Sequence, residues 1–484
     1  MVDKILYIFL LLFLTACGSS KSEQASDVDA LSVQTLTIAE IKNDTNSTEI
    51  KANEEQNIVK AAKSVIIYVH GYNKDGSNNG EVYGSIKNDA AIINLADFTD
   101  FPTIENYEDN DTNVIASTSY YGNKSPVYYT QKDVDDIASI TKEYGGGIPR
   151  YAMIIAKFAK HIMKESGAEE LHIVSASMGS LVTRWLIEKD IEHLASQKKI
   201  KKWLSIEGVI RGNYAASNTS LMQIVNKVVK QPIDAEHMNY DWVNKHLSGS
   251  NATSVNFKDI DMGFISSTYD KNGVLSKFLI VNGQAQANDG VQLLRDTVFV
   301  STPNHTPTYT HFHQFHQDIK KDKGAWAQVA TFLTSKRRVK ITLTQAKISD
   351  LHEDINFLNK RAEIVFSSHV ISPKVDEKYN ITEEISERVL QGGSLKLTKF
   401  ETINENKTIN QIIFNDYVLD GERELQVKIS AHELDIFPIY GVYEISEGNK
   451  VSDLGQVKLN IPLKNDTFEI EGKDWSATLK VEFI

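Results

Sequence analysis

The chain has 484 residues, with 52 Lys and Arg against 64 Asp and Glu, which gives a formal charge of −12. That balance excludes the basic footprint of a nucleic-acid binder, and 41% apolar with 24% charged residues excludes collagen-like and mostly disordered chains. Cys17 is the single cysteine, so no disulfide can form within the chain and core packing has to hold the fold together.

Lys4 precedes the apolar run Ile5 to Leu14, which has the length of a signal-peptide core and about half of what a membrane-spanning helix needs. The run ends in Leu14-Thr15-Ala16-Cys17-Gly18. This resembles the lipobox of bacterial lipoproteins, and the resemblance implies cleavage after residue 16 and a diacylglycerol on the Cys17 sulfur. A lipidated Cys17 would anchor the protein in the membrane of a bacterial cell envelope, at the outer membrane or cell surface. Residues 17–60 are rich in Ser, Asp, Thr, Asn, Glu and Lys without a helical or strand period, and read as a flexible tether.

Ordered structure is expected from residue 61. Ser64 to Val69 is a continuous β-branched run of the kind buried on both faces of a sheet, and it leads into His70-Gly71-Tyr72. A second strand is expected at Asn113–Ser117, and Arg150 to Lys164 carries an apolar helical stripe through Ile154, Ile155, Phe158, Ala159 and Ile162. Strands follow at Leu171–Val174, Lys202–Ile206, Phe278–Val281 and Thr297–Ser301, and a last helix carries Trp326, Val329, Ala330 and Leu333. The alternation predicts an α/β fold over residues 61–336, a mostly parallel, doubly wound sheet. Residues 213–277, with an amphipathic helix through Leu221 to Val229, are expected to cap the site. Beyond residue 339 the pattern switches to short alternating strands at Val339–Ile348, Ala362–Ile371, Ser394–Ile403, Gln411–Leu419, Leu425–Ile429, Val457–Leu463 and Trp475–Ile484. Residues 339–484 therefore read as a separate all-β, sandwich-like accessory domain.

The chemistry concentrates in Ser175-Ala176-Ser177-Met178-Gly179-Ser180, between a strand and a helix. A turn that sharp needs small neighbours, and it lifts the Ser177 hydroxyl over the carboxyl edge of the sheet, in front of free N–H groups at the helix start. The stretch resembles the nucleophile elbow of α/β-hydrolases, lipases especially, with Ser175 in place of the usual first Gly. His70-Gly71-Tyr72 resembles the oxyanion loop of the same enzymes, which implies that the backbone N–H groups of Tyr72 and Met178 face the developing oxyanion. Ser205 to Gly212 resembles the segment after the next strand, with Val209 for the usual Pro. Asn288-Asp289-Gly290-Val291 resembles the turn that carries the acid. Oxyanion loop, Ser, acid and His then follow in the family's chain order.

The plain readings are a helix cap for Ser177, a turn signature for Asp289 before Gly, and Glu207 as the competing acid. Four histidines, His305, His311, His313 and His316, crowd the segment before the last helix. His316 stands at the expected distance from it and is the preferred base, with His313 as the alternative. His316-Gln317-Asp318 resembles the H-x-D of some bacterial lipases, in which the Asp helps to bind calcium; no other cofactor is implied. The spacing of His311, His313 and His316 would also suit zinc.

The sequence therefore reads as a serine hydrolase of carboxylic esters, lipase- or esterase-like, acting through Ser177, His316 and Asp289 on a lipid or small ester at a membrane surface. The same triad serves amide and thioester cleavage. An inactive hydrolase fold used for lipid binding or adhesion is the reading from another class.

Overall fold

The computed structural model describes residues 64–72, 90–108, 113–218, 221, 231–267, 280–281, 284–285, 288–299, 307–312, 314–316, 318–350, 362–375, 381–389, 398–419, 421–433 and 452–484. The apolar leader, Cys17, the tether, His305, His313 and all but the first residue of the helix expected at Leu221–Val229 lie outside them. Among the described residues no helix is long and apolar enough to cross a membrane.

In chain order the first part comprises β1 (Ser64–Val69), α1 (Ala90–Thr99), β2 (Asn113–Ser117), α2 (Gln131–Tyr144), α3 (Gly147–Ser166), β3 (Glu170–Ala176), α4 (Met178–Glu188) and β4 (Ile200–Ile206). Three short helices follow, α5 (Tyr214–Ser217), α6 (Pro232–His237) and α7 (Tyr240–His246), then β5 (Asp261–Ser267), the hairpin strands β6 (Ile280–Val281) and β7 (Gln284–Ala285), β8 (Thr308–Phe312) and α8 (Lys323–Thr334). The main sheet runs β2-β1-β3-β4-β5-β8, and each of its five pairings is parallel.

Successive strand residues point to opposite faces, and here each face is covered by helices. Val65, Ile67, Ile173, Trp203 and Phe264 pack with Phe158 of α3 and Leu181 and Trp185 of α4. Their neighbours Ile66, Tyr68, Val174, Leu204 and Ile265 pack with Leu95 of α1 and Trp326, Val329 and Phe332 of α8. Both faces being apolar is why these strands read as unbroken hydrophobic runs. Each such side chain contributes about 1.5–3 kcal/mol on burial.

Three strands of this part differ from expectation. Asp261–Ser267 lies inside the interval read as a cap, yet it pairs directly with β4, so the excursion between β4 and β5 ends at Ile260. Its run is hard to see because Gly263 interrupts it, the space beside that residue being filled by Leu204 and Phe332. The sixth sheet position is taken by Thr308–Phe312, whereas Leu294–Asp296 is a short 3-10 turn, 297–299 carry no strand, and 300–301 lie outside the described residues. Of Phe278–Val281, only Ile280 and Val281 are described, and they pair with β7 rather than with the main sheet.

The C-terminal part comprises β9 (Arg338–Ile348), β10 (Ala362–Val375), β11 (Ile381–Val389), β12 (Thr398–Phe400), β13 (Lys407–Tyr417), β14 (Glu424–Glu433), β15 (Ser452–Pro462), β16 (Asp466–Glu471) and β17 (Trp475–Phe483). One antiparallel sheet runs β13-β9-β17-β16, and the other runs β15-β14-β10-β11. They face each other across a core of Ile341, Leu343, Phe366, Val427, Ile429 and Leu479, with Trp475 edge-on to Phe366 at 5.5 Å.

This sandwich is joined to the α/β part by strand pairing. β11 lies antiparallel to β8, with Arg388 opposite Phe312 and Val389 opposite His311. Side chains reinforce the join. The Tyr417 hydroxyl donates to Asp261, Thr310 Oγ1 donates to Asp416 at 2.5 Å, and Arg337 Nη1 donates to the Leu419 and Glu422 carbonyls at 2.8 and 2.9 Å. The Lys202 ammonium lies over the Tyr417 and Phe332 rings, 5.0 and 5.4 Å from their centroids. The two parts are therefore expected to melt as one unit. Tyr417→Phe removes the donor to Asp261 and is predicted to cost about 1–3 kcal/mol, read as a lower midpoint in urea at pH 7, with a single transition by fluorescence and circular dichroism. Two separated transitions would contradict the coupling.

Candidate functional site

The site is assembled at the carboxyl ends of the parallel strands, beginning with the turn from β3 to α4. Ser177 has φ 52° and ψ −126°, a conformation that residues with a β-carbon rarely adopt and that stores backbone strain. The turn is held by backbone bonds: Ser177 N donates to Ile206 O at 2.9 Å, and Val209 N donates to Ser177 O at 3.1 Å. It also depends on missing side chains. A β-carbon at Gly179 would lie 2.3 Å from the His70 carbonyl oxygen, and one at Gly71 would lie 2.9 Å from Ser177 Cβ.

Ser175, which replaces the usual glycine, is buried in a polar cluster beneath the turn. Its hydroxyl lies 3.2 Å from Ser180 Oγ and accepts from Trp203 Nε1 at 3.2 Å, and that indole also donates to Thr183 Oγ1 at 2.9 Å. Burial without these partners would cost about 1–3 kcal/mol per group. The substitution thus has a structural use.

Ser177 occupies the N-cap position of α4 but its side chain makes no capping bond. Its Oγ instead lies 3.0 Å from His316 Nε2, while His316 Nδ1 lies 2.6 Å from Asp289 Oδ2. The histidine is carried by the loop between β8 and α8, and its backbone N donates to Asp289 O at 2.9 Å, so the two loops are tied by main chain as well as side chain. Asp289 is fully buried, and its Oδ1 accepts from the N–H groups of Val291 and Gln292 at 2.8 and 2.6 Å. The following Gly290 has φ 91°, and a β-carbon there would meet the Phe315 ring at 2.1 Å. Asp289 is therefore part of a turn, and the turn is what aims its carboxylate.

Glu207, at the end of β4, is also here. Its Oε2 lies 3.4 Å from His316 Nδ1, and Ser267 donates to its Oε1. Burial, then the neighbouring charge of Asp289, push its carboxyl well above the ordinary range. The sequence marked Glu207 only as a competitor for the acid. The structure places both carboxyl groups at one imidazole.

The loop after β1 lies against the elbow through Gly71. Tyr120, fully buried, has its hydroxyl 2.8 Å from the carbonyl oxygens of both His70 and Gly71, to one of which it donates, and stacks on the His70 ring at 4.2 Å. His70 Nδ1 lies 2.7 Å from Gly71 O. His70 and Tyr120 thus fix the loop that carries Tyr72, and Met178 is the first helical residue after Ser177, where the N–H has no intrahelical acceptor.

Among the described residues, two groups bring three metal-capable side chains together: Glu207, Asp289 and His316, and Asp133, Asp136 and Glu192. The second encloses the Lys157 ammonium, 2.7 Å from both Asp133 and Asp136, so a cation already fills it. In the first, the ring nitrogens of His316 face Ser177 and Asp289, whereas the zinc spacing would need one of them. His311 is in β8, and Asp318 is partly exposed, 3.5 Å from Lys321 Nζ.

No family model matches the chain, and no curated protein matches it. Solved structures with similarity include the mature form of a lipase from Bacillus licheniformis, at 13% identity and a TM-score of 0.35, over 56% of this chain and 91% of that one. A metagenomic carboxyl esterase matches at 13% identity and a TM-score of 0.32, over 53% of this chain and 66% of that one. Phospholipase PlaB from Legionella pneumophila matches at 8% identity and a TM-score of 0.34, over 83% of this chain and 90% of that one. With likenesses this low, the fold is carried by the strand order and the elbow: an α/β-hydrolase core followed by C-terminal antiparallel sheets.

Near the loop after β1, α6 places Asp234 in full burial, its Oδ2 3.4 Å from the Tyr121 hydroxyl. Burial pushes its carboxyl up to about 7. A carboxyl raised in the folded state contributes its full stability below its unfolded value, about 3.9, and that contribution falls as pH rises toward 7. Asp234→Asn should therefore melt higher than the parent at pH 8 and lose this advantage at pH 4. An advantage that is equal at both pH values would contradict the assignment.

Proposed function

We propose that this chain is a serine hydrolase of carboxylic esters, of lipase or esterase type. The observation that carries the reading is the continuous relay from the Ser177 hydroxyl through His316 to Asp289, with contacts of 3.0 and 2.6 Å, mounted on a strained strand-to-helix turn. A helix cap would not need the imidazole, and a packing histidine would not need both partners.

In this reading Ser177 Oγ attacks the ester carbonyl as His316 Nε2 takes its proton. Asp289 holds the ring by Nδ1–H and stabilises the imidazolium that forms. The carbonyl oxygen, now negative, is met by the N–H groups of Tyr72 and Met178, a pair of donors that strengthens only as charge develops; each is worth roughly 3 kcal/mol. His316 then returns the proton to the departing alcohol, and water, activated by the same imidazole, releases the acyl group from Ser177. Lipidation at Cys17 would hold the enzyme at a bacterial envelope membrane, which suits a lipid or other ester presented at that surface.

A fluorophosphonate probe is expected to label the parent protein and to leave Ser177→Ala unlabelled. Ser177→Ala and His316→Ala should each lower kcat/KM on a p-nitrophenyl ester by about 10⁴ or more, Ser177→Ala without lowering the melting temperature. Retention of activity within about tenfold in Ser177→Ala would end the serine mechanism. Cys17→Ser should move the protein out of the membrane fraction while leaving the rate on a soluble ester unchanged; unaltered fractionation would remove the anchor from the account.

A further inference from the structure

Two carboxyl groups and one imidazole share a buried volume, and the relay described above uses only one of the carboxyls. One ligand-capable atom from each of Glu207, Asp289 and His316 lies within 4.8 Å of the others. Glu207 is only 2% exposed and Asp289 is fully buried. Two adjacent carboxylates in such a place cannot both carry charge cheaply.

The hydrogen bonds decide which one does. Asp289 accepts from the backbone N–H groups of Val291 and Gln292 and lies 2.6 Å from His316 Nδ1. Glu207 accepts from the Ser267 hydroxyl and stands off at 3.4 Å from the same Nδ1. Donors stabilise the ionised form of the group they point at, so the negative charge settles on Asp289 and the proton on Glu207. The charges that face Glu207 act in the same sense overall. Asp289 and Asp318 raise its carboxyl, and Lys320 opposes them.

The backbone adds an independent observation. Glu207 has φ 49°, so the chain holds a residue with a β-carbon at positive φ just after β4, as it does at Ser177, φ 52°, just after β3. The conformation is fixed by a bond from Glu207 N to Ile265 O. A positive φ is thus kept at both strand ends that flank the histidine.

We propose that Glu207 is a positioning residue for His316: a second, proton-bearing carboxyl group that buttresses the Nδ1 edge of the imidazole beside Asp289 and replaces Asp289 when that partner is neutralised. The inference rests on the ester-hydrolase reading of the same site. Its consequence for the reaction is electrostatic. A neutral Glu207 fills the space beside the ring without adding a second negative charge, so the resting imidazole stays free to accept the Ser177 proton. Once Asp289 loses its charge, the nearest negative charge opposing ionisation of Glu207 is gone and only burial and Asp318 still oppose it, against Ser267 and Lys320; Glu207 then becomes the acid.

The test compares Glu207→Gln, Asp289→Asn and the double variant, measuring kcat/KM on p-nitrophenyl acetate across pH, with melting temperature as the check on folding. Gln copies the shape and neutrality of a protonated Glu. The single Glu207→Gln change should keep activity within about fivefold of the parent, with the acid limb of the pH profile moved by less than about half a pH unit. Asp289→Asn should keep a residual rate that the second change lowers by a further tenfold or so. A larger loss or a larger shift in Glu207→Gln would mean that Glu207 works as an anion, and a double variant no slower than Asp289→Asn would mean that it only packs; either result overturns the proposal. Should Glu207→Gln fail to fold, Asp289→Asn alone decides. A residual rate that switches on with one further ionisation supports the proposal, and a residual rate without one contradicts it. Labelling of the parent at Ser177 separates the two levels. Without it the ester-hydrolase reading has failed, and with it the Glu207 variants judge this inference alone.

Discussion

The structure turns on one close approach, that of the helix start at Ser177 to the ends of β1 and β4. For Ser177 to stand clear of the sheet, its φ must be 52°, and the main chain of α4 must pass against the His70 carbonyl, with only Gly179 between them. Such a turn is unfavourable by itself, by roughly 1–3 kcal/mol. It persists because the surroundings determine it from several sides: β3 is paired with β1 and β4, Ile206 and Val209 bond the turn from below, and Trp203 ties the Ser175–Thr183 cluster to the adjacent strand. Gly71 then brings the neighbouring loop against the serine. The geometry at Ser177 follows from the packing of the sheet ends.

The other two groups arrive from separate loops, and they are joined before they reach the serine. The bond from His316 N to Asp289 O and the contact between Nδ1 and Oδ2 make one unit of two segments that are 27 residues apart. That unit is in turn fastened to the excursion after β4. Gln292 donates to Gly212 O at 2.6 Å, and Asn213 donates to Gln292 Oε1 at 2.6 Å. Burial raises the stakes of each bond, since a low local dielectric strengthens satisfied polar contacts and penalises orphaned ones. The Ser177–His316–Asp289 contacts are thus tied through the backbone, as the proposed proton transfer, with its heavy-atom separations of about 3 Å, requires.

The strands buried on both faces were legible in the sequence because continuous β-branched runs have few other uses, and Ser64–Val69 and the helix from Gly147 to Ser166 lie where the pattern puts them. The elbow was legible because small residues at that spacing answer a steric need that acts locally. Asp261–Ser267 was hidden because its central glycine is complemented by Leu204 and Phe332, residues distant in sequence. Thr308–Phe312 was hidden by its polar and aromatic composition, and Ile381–Val389 by its charged residues. The join between the main sheet and the C-terminal sandwich depends on strand pairing across about 80 residues, which no local period encodes. Glu207 sat next to a recognised strand end, but whether it or Asp289 faced the imidazole depended on loop geometry, and the structure brings both there.

Central to this account is that Ser177 forms a covalent acyl intermediate through His316. The most direct measurement is acid-quenched mass spectrometry of the protein during turnover of a p-nitrophenyl ester, followed by peptide mapping. The account predicts one acyl group on the peptide that contains Ser177, accumulating in the parent protein and absent in His316→Ala. An acyl group on another residue, or rapid turnover with no acylated protein at any time in the parent, would contradict it.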